Sequence, residues 1–433
     1  MTKTRARVLR PNRGQMEFRA SDLESLLPEG HRARLVWAYV ERQDLSRFYA
    51  GIRAVDGGVG RSAIAPEILL ALWLYATLDG VGSARAVSRL LESHDAYRWL
   101  CGGVQVNHHT LSDFRKDQGE GLDELLSVSI ASLMEAGVVK LKQVAQDGMR
   151  VRASAGAGSF RRKEKLEGYL EAARAEVARL KAEVEADPAQ AERAREAARL
   201  RAAKEREARL EKALARLPEI EAIKLRQGKN PDQARASMTD AEATVMKMGD
   251  GGFRPAYNPQ LASDADSLVI VGVEVTTVGS DQGQMVPMIE QVTARCGQLP
   301  EAWLVDGGYV GHEQIEQASQ STVVYGPVPQ PKDKAVDPHQ AKAGDSEAVA
   351  AWRQRMGTDE AKVIYKRRAA TAECVNAHSR NRGLQQFRVR GLAKVKCVML
   401  IFALAHNLMR MVSLAPELLG VGTGASAVPG IGV

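Results

Sequence analysis

Three acidic residues stand where carboxylates could bind divalent metal ions. Asp147 and Asp306 each follow a short apolar segment and precede glycine, so each carboxylate is expected at a strand end where the chain turns sharply. Glu373 is the only acid among the basic residues of segment 365–396. Carboxylate oxygens suit Mg²⁺ or Mn²⁺, and two such ions roughly 3.5–4 Å apart favour displacement at phosphorus. A single Asp-Gly pair is usually a plain turn, but the three acids together predict a metal site beside bound phosphates.

The positive charge of the chain is concentrated in two segments. The 433 residues include 60 Lys and Arg against 53 Asp and Glu, which gives a net charge of +7. Residues 1–19 hold six basic residues and one acid, and segment 365–396 holds nine basic residues and one acid. Such segments are typical of proteins that bind phosphate backbones. The nine basic residues of the second segment are Lys366, Arg367, Arg368, Arg380, Arg382, Arg388, Arg390, Lys394 and Lys396.

The N-terminal part of the chain, about 21–137, is predicted to be helical. Pro66 begins a strongly apolar core helix, Ser83 is placed to cap a second helix, and Asn107 is placed to cap a third. The last two helices predict a helix-turn-helix whose second helix enters a DNA groove. The alternative is a helical bundle with a solvated polar helix. The side chains predicted to face outward on the last helix are His108, His109, Ser112, Arg115 and Lys116.

A segment of different composition, 161–226, is predicted to form a helical hairpin or coiled coil. Apolar residues alternate at four-and-three spacing in its first half, which is a heptad pattern, and Asp187-Pro188 interrupts it. Its charged face is expected to be solvated, with contact to DNA as the alternative. The flanking sequence predicts a β-rich domain. Its strands are expected at 141–148, 256–264, 267–276, 302–309 and 322–325, with a helix at 285–296.

Cysteine usage and hydropathy predict a cytoplasmic protein. The cysteines are Cys101, Cys296, Cys374 and Cys397, too far apart in sequence to suggest a disulfide framework or a zinc site. The basic N-terminus is not followed by an apolar signal segment. The apolar segment 397–405 is too short to span a membrane and is predicted to be a buried helix. No membrane association is expected.

Four motifs resemble the DDE-type insertion-sequence transposases, most closely the IS eleven-eighty-two group of the broad IS-five-like class. The resemblance runs from about Gln15 to Met411. In the last motif, four residues separate Arg368 from Glu373 where the commoner form has three, so Arg367 is an alternative to Arg368. The motifs are Gln146-Asp147-Gly148, Ala256-Tyr257-Asn258-Pro259-Gln260, Val305-Asp306-Gly307-Gly308-Tyr309 and Tyr365-Lys366-Arg367-Arg368…Glu373…Arg380.

This resemblance implies an α/β fold: a ribonuclease-H-like catalytic domain (138–411) with an inserted helical hairpin or coiled coil (161–226). An all-α helix-turn-helix DNA-binding domain (21–137) would precede it, a basic arm (1–20) would lead it, and a flexible tail (412–433) would follow. Asp147, Asp306 and Glu373 would be the catalytic acids and would hold two Mg²⁺ or Mn²⁺ ions. Tyr365, Arg368 and Arg380 would complete the catalytic site, with the two arginines neutralising phosphates. Arg388 and Arg390 are expected to contact DNA.

The function implied is DNA transposition by metal-dependent strand cleavage and strand transfer. The expected partners are double-stranded DNA, as inverted-repeat ends and as target, and a second copy of the chain on that DNA. The expected location is the bacterial cytoplasm, at the nucleoid. A catalytically inactive transposase-derived repressor is the alternative, and a coiled-coil scaffold is a weaker one because it leaves the strand-end acids unexplained.

Overall fold

The computed structural model describes residues 22–54, 61–186, 193–226, 228–333 and 335–420. The predicted basic arm (1–20) and the Asp187-Pro188 interruption lie outside the described residues, as does the end of the predicted tail from residue 421. The described part is a mixed α/β structure in which helices surround a mixed sheet. The α/β class predicted from the sequence is therefore confirmed.

Helices form the N-terminal part, as the sequence predicts. Pro66 opens α3, and nearly every residue of that helix is buried. Ser83 accepts a hydrogen bond from the Ala86 amide at the start of α4, and Asn107 accepts one from the Thr110 amide at the start of α6. An additional helix, α5, lies between the two helices predicted to form a helix-turn-helix. The helices are α1 (Arg32–Val40), α2 (Ser46–Ala50), α3 (Pro66–Leu78), α4 (Ala84–Ser93), α5 (Asp95–Cys101), α6 (His108–Asp117) and α7 (Gly119–Glu135).

The main sheet combines antiparallel and parallel strands. The order β7-β6-β1-β8-β9 has β6 antiparallel to both β7 and β1, whereas β1, β8 and β9 are parallel to one another. The first half of β6 also pairs with β2 and β5, and β3 pairs with β4 separately. The strands are β1 (Gln143–Gly148), β2 (Val151–Arg152), β3 (Phe160–Arg161), β4 (Ala236–Ser237), β5 (Thr244–Lys247), β6 (Phe253–Asp264), β7 (Ile270–Thr276), β8 (Ala302–Leu304) and β9 (Val323–Tyr325).

The predicted insertion is a helical hairpin made of α8 (Lys163–Ala186) and α9 (Arg193–Arg226). The two helices pack through apolar side chains that include Leu166, Leu170 and Leu210. Arg174 adds an ion pair across the seam to Glu211, at 2.8 Å. The hairpin therefore buries its apolar seam within one chain. The remaining helices are α10 (Met285–Cys296), α11 (His312–Ala318), α12 (Glu347–Gly357), α13 (Asp359–Asn381) and α14 (Leu392–Leu414).

Helix α14 joins the N-terminal helices to the sheet in one hydrophobic core. It packs against α3, α6 and α7 on one side and against β7 on the other. The side chain of Asn407 accepts from the amide of Ile270 and donates to its carbonyl, each at 2.8 Å, so α14 is hydrogen-bonded to the start of β7. The domain boundary predicted at 137/138 is thus not a break in packing. The predicted tail also begins later than residue 412, because α14 continues to Leu414 and Leu419 is buried.

One helix of the described residues, α14, is long and apolar enough to cross a membrane by length and composition alone. In the structure, 83% of its most apolar stretch is buried inside the protein. The core helix of a globular domain has the same properties. The sequence prediction of a buried helix at 397–405 is therefore confirmed, as part of a longer helix.

His406 on α14 should make stability fall in mild acid. Burial lowers the pKa of His406 to about 3, and the ring donates a hydrogen bond from Nε2 to the carbonyl of Leu268 at 2.8 Å. Because the unfolded chain binds a proton below pH 6.5 and the folded chain does not, stability is complete above pH 6.5 and is lost as the pH falls below it, by about 1.4 kcal/mol per pH unit. Urea denaturation at pH 7.5 and 5.5 measures this loss. His406→Gln, which keeps a donor, should reduce it, whereas the exposed His109→Gln should leave it unchanged.

Candidate active site and nucleic-acid interface

Asp147 and Asp306 lie at the ends of neighbouring parallel strands. Ala145 of β1 pairs with Leu304 of β8, and each aspartate follows its paired residue by two positions, so both carboxylates lie on the same face. The amide of Gly148 donates to Asp147 Oδ1 at 2.9 Å, and the amide of Gly308 donates to Asp306 Oδ1 at 2.8 Å. The Asp-Gly pattern that predicted the two residues thus corresponds to two carboxylates held by the turn that follows each strand.

Arg368 links the two carboxylates. Its Nη2 atom lies 3.2 Å from Asp147 Oδ1 and 3.5 Å from Asp306 Oδ2. The guanidinium is largely buried, and its Nε has no hydrogen-bond partner among the described residues. Burial raises the pKa of Asp147 to about 6, opposed by the charge of Arg368 and reinforced by the charge of Asp306. The paired acids therefore require a neighbouring cation, and the guanidinium provides one.

Helix α13 lies along β1 and brings Arg368 to the site. Arg367 donates to Gln143 Oε1 at 3.0 Å near the start of β1, and Asn376 Nδ2 donates to Asp147 Oδ2 at 3.0 Å near its end. Between them, Ala372 packs against Ala145 and Leu304. The side of α13 that faces the sheet thus presents Arg368, Ala372 and Asn376, which are spaced four residues apart.

Glu373 lies next to this side of α13 and is exposed. It makes no hydrogen bond or ion pair with the residues that the structure describes, and Arg380, two turns further on, is also exposed. Tyr365 is half-buried near the aspartates; burial raises its pKa, with Arg368 lowering it and Asp306 and Asp147 raising it further. The structure thus brings together Asp147, Asp306, Arg368 and Tyr365, and leaves Glu373 and Arg380 on the solvent side.

The donor atoms fit a hard divalent cation only in part. Two carboxylates that already share one cation are suitable oxygen ligands for Mg²⁺ or Mn²⁺. Within the described ranges, however, no three His, Cys, Asp or Glu side chains form a metal-binding group. A divalent ion that used Asp147 and Asp306 would compete with Arg368 for the same oxygens.

Asp281 supports the site from the loop between β7 and α10, and sequence reasoning missed it. It is buried and accepts hydrogen bonds from Asn258 at 2.7 Å, Gln260 at 2.8 Å and Arg150 at 2.7 Å. Because these hydrogen bonds occupy both of its carboxylate oxygens, Asp281 has a structural role. A signal was available in the sequence: Asn258 and Gln260 lie two residues apart in a predicted strand, and buried amides on one face of a strand need polar partners.

Five of the seven predicted DNA-binding residues line one open cleft of about 540 Å³. They come from α6 and from the segment that leads into α14, and they are Ser112, Arg115, Lys116, Arg388 and Arg390. The other two, His108 and His109, lie against each other with tilted rings whose centroids are 4.1 Å apart, and they are not among the lining residues of this cleft. The structure therefore brings together two predicted DNA-binding regions that are about 270 positions apart in the sequence.

Arg115 was predicted to face outward, but the structure buries it. Its guanidinium stacks on Trp73, 4.0 Å from the ring centroid, and Nη1 donates to the carbonyl of Gly82 at 2.8 Å. Burial lowers the pKa of Arg115 to about 10. The reason is helical spacing: Leu111, Phe114 and Arg115 share the inner side of α6, and the cation is accommodated there by an aromatic face.

Arg115→Ala should therefore act mainly on stability. Loss of the stack, the hydrogen bond and the packed side chain should lower the free energy of unfolding by about 2–3 kcal/mol. Urea denaturation gives this value. Lys116→Ala is the matched control, because the solvent-exposed ion pair between Lys116 and Asp113 should contribute less than about 1 kcal/mol to the free energy of unfolding. Unchanged stability with a selective loss of sequence discrimination would contradict the structural role and restore a base-reading one.

The fold and the site define a mixed α/β protein that presents paired carboxylates beside basic side chains. Residues 21–117 match the family described as Transposase domain (DUF772), and residues 332–412 match the family described as Transposase DDE domain. The two matches indicate a DDE-type transposase. Arg368 and Glu373 lie within the second match, whereas Asp147 and Asp306 lie between the two. No curated protein and no solved structure matches the chain.

Proposed function

We propose that this chain is a DNA transposase that binds the terminal inverted repeats of its own element, cleaves a strand at each end and transfers the freed 3′-hydroxyl to target DNA. The observation that carries the proposal is the convergence of Asp147 and Asp306 on Arg368 at the ends of neighbouring parallel strands. Arg368 belongs to the segment that matches the DDE domain, so the matched and unmatched parts of the chain meet at this point.

We further infer a ribonuclease-H-like catalytic domain of the IS eleven-eighty-two, IS-five-like type. The supporting feature is the mixed sheet, in which three antiparallel strands adjoin two parallel ones and α13 covers the face that carries the acids. The helical N-terminal part would bind DNA as a helix-turn-helix, with α6 contributing Ser112 and Lys116. A dimer on DNA follows from the need to act on two ends, and such a protein would act at the bacterial nucleoid.

Asp147 and Asp306 are the residues that would hold Mg²⁺ or Mn²⁺, and Glu373 on the adjoining helix would be the third acid. The ions would supply charge stabilisation at the reacting phosphate and a more acidic nucleophile. Asn376 and the Gly148 amide orient the Asp147 carboxylate. Arg368, once separated from the acids, would neutralise a phosphate oxygen, and exposed Arg380 would do the same further along the backbone.

One observation favours the second candidate function, a catalytically inactive transposase-derived repressor. Glu373 is exposed and does not join the two aspartates within the described part of the chain. If α13 keeps this position on DNA, the site has two acids and a bound guanidinium. The chain would then bind DNA without cleaving it.

Strand cleavage separates the two candidates. The wild-type chain is incubated with a plasmid that carries the DNA flanking its own coding region, in Mg²⁺, in Mn²⁺ and in EDTA. A transposase gives metal-dependent nicks or breaks at the element ends with 3′-hydroxyl termini, which primer extension locates. Binding to the same DNA without cleavage in either metal would identify the repressor instead.

A further inference from the structure

The hairpin forms one wall of the cleft that α6 and the segment before α14 line from the other side. Arg209 and Lys212 of α9 lie on this wall, three residues apart and therefore on one side of the helix. The seam residues Leu210, Ala213 and Leu217 pack within the hairpin. The hairpin can therefore present the two cations as a rigid wall without a second chain to complete its seam.

Three acids line the cleft, and each has a partner in the structure: Glu205 forms an ion pair with Arg209 at 3.9 Å, and the other two are hydrogen-bonded. Asp240 accepts hydrogen bonds from the Tyr257 hydroxyl at 2.8 Å and the Gly391 amide at 3.2 Å. Glu242 accepts from the Leu392 amide at 2.9 Å. Both carboxylates thus bind the amides at the start of α14, where negative charge is favoured. They fix the position of the basic segment that includes Arg388, Arg390 and Lys394.

Several cations of the cleft have no carboxylate partner. Lys212, Arg388 and Lys394 are exposed and form no ion pair with the residues that the structure describes. Arg390 donates a hydrogen bond to the carbonyl of Ser154 at 3.3 Å and forms no ion pair within the described part of the chain. Elsewhere on the hairpin, Arg174 pairs with glutamates across the seam and Arg179 pairs within α8, whereas Lys181 and Lys204 are exposed and form no ion pair with the described residues. Unpaired cations therefore occur elsewhere on the hairpin too, but in the cleft they stand opposite unpaired cations of the segment before α14.

This arrangement suits a polyanion rather than a small anion. The cations belong to elements far apart in sequence and are spread along an open cleft, whereas a small anion needs donors that converge on one point. Facing cations repel one another within a Debye length of about 10 Å at 0.1 M salt, and a chain of phosphates relieves that repulsion while releasing counterions.

We propose that α9 is a DNA-contacting wall: a DNA duplex lies in this cleft, with its backbone held between Arg209 and Lys212 on the hairpin and Arg388 and Lys394 on the opposite side. This proposal rests on the proposed function for the choice of duplex DNA. It assigns the insertion a direct part in binding, which neither its heptad pattern nor the family matches indicate.

The test is duplex binding in EDTA, which requires no catalysis. A fluorescein-labelled random 30-bp duplex is titrated by anisotropy from 50 to 300 mM NaCl. The double variant Arg209→Glu/Lys212→Glu should lower affinity at least tenfold at 100 mM and reduce the slope of log K against log salt by about two. The matched control is Lys181→Glu/Lys204→Glu, which makes the same charge change at exposed hairpin positions outside the cleft and should stay within twofold of wild type.

Equal effects of the two double variants would overturn the proposal, and so would preference for a single-stranded 30-mer. Circular dichroism and thermal denaturation verify that the hairpin remains folded in both. The outcome is independent of cleavage. If the chain binds DNA through the cleft but never cleaves the element ends, the proposed cleavage activity is wrong and the role of α9 stands. If the chain cleaves the ends and the Arg209→Glu/Lys212→Glu variant binds DNA like wild type, the role of α9 is wrong and the cleavage activity stands.

Discussion

Asp147→Asn and Asp306→Asn should each reduce strand cleavage by at least about 10³-fold, because each removes a charged metal ligand. Without that ligand, the charge that develops in the transition state loses several kcal/mol of stabilisation. Binding to duplex DNA should stay within about twofold of wild type, since the cations of the cleft are unchanged. Initial rates of nicking of an end-containing plasmid in Mg²⁺ measure the first effect, and anisotropy in EDTA measures the second. Asp147→Asn should not lose stability at neutral pH, because burial raises the pKa of Asp147 from 3.8 to about 6, so its ionisation costs stability progressively between these pH values and fully above them.

The matched control is Asp250→Asn, a change of the same kind at an exposed turn outside the site. It should cleave at the wild-type rate. Glu373→Gln completes the series: a loss as large as that of the aspartates would show that α13 repositions on DNA to bring the third acid in. Near-wild-type cleavage by either aspartate variant would remove that residue from the proposed site.

Gly148→Ala should destabilise the protein by about 2–4 kcal/mol and also reduce cleavage more than tenfold. A Cβ atom at this position would lie 2.3 Å from Asp281 Oδ1 and 2.5 Å from Gln260 Nε2. Both side chains are buried and hydrogen-bonded to each other. The added methyl group would overpack this site and break at least one hydrogen bond to a charged carboxylate. The neighbouring Asp147 would be displaced with the strand end. Urea denaturation and the nicking assay give the two quantities.

Gly158→Ala provides the comparison, because a Cβ atom there would meet no atom within 4 Å. It should change the free energy of unfolding by less than about 1 kcal/mol. If Gly148→Ala lowered the free energy of unfolding no more than this control, the buried contacts of Asp281 would be more adaptable than its hydrogen bonds indicate. The structural role assigned to Asp281 would then be wrong.

The paired aspartates were predictable because their signal is local. An apolar strand that ends in Asp-Gly places the carboxylate at a turn, and parallel neighbouring strands bring two such ends to one edge of the sheet. The helix caps at Ser83 and Asn107 were predictable for the same reason, since each depends on a side chain and an amide three residues away.

The features that sequence reasoning missed depend on packing between distant segments. Arginine is usually an exposed residue, and the burial of Arg115 is favourable because Trp73 lies beneath α6. The sheet-facing side of α13 is set by how Arg367 and Asn376 contact β1, and no local pattern specifies that Ala372 rather than Glu373 faces the strands. The cleft likewise exists only because the hairpin, α6 and the segment before α14 meet.

The position of α14 has a consequence for how the chain is made. Among the described residues this helix is the last long one to be synthesised, yet it packs against α3, α6 and α7, which are synthesised some 300 residues earlier. Until it arrives, the apolar side of α3 that it covers stays without its partner, and the start of β7 lacks the amide of Asn407. Translation that stops before residue 392 therefore yields a chain that exposes core surface and is a substrate for chaperones and proteases. Fragments ending there are therefore expected to be degraded rather than to accumulate as folded protein.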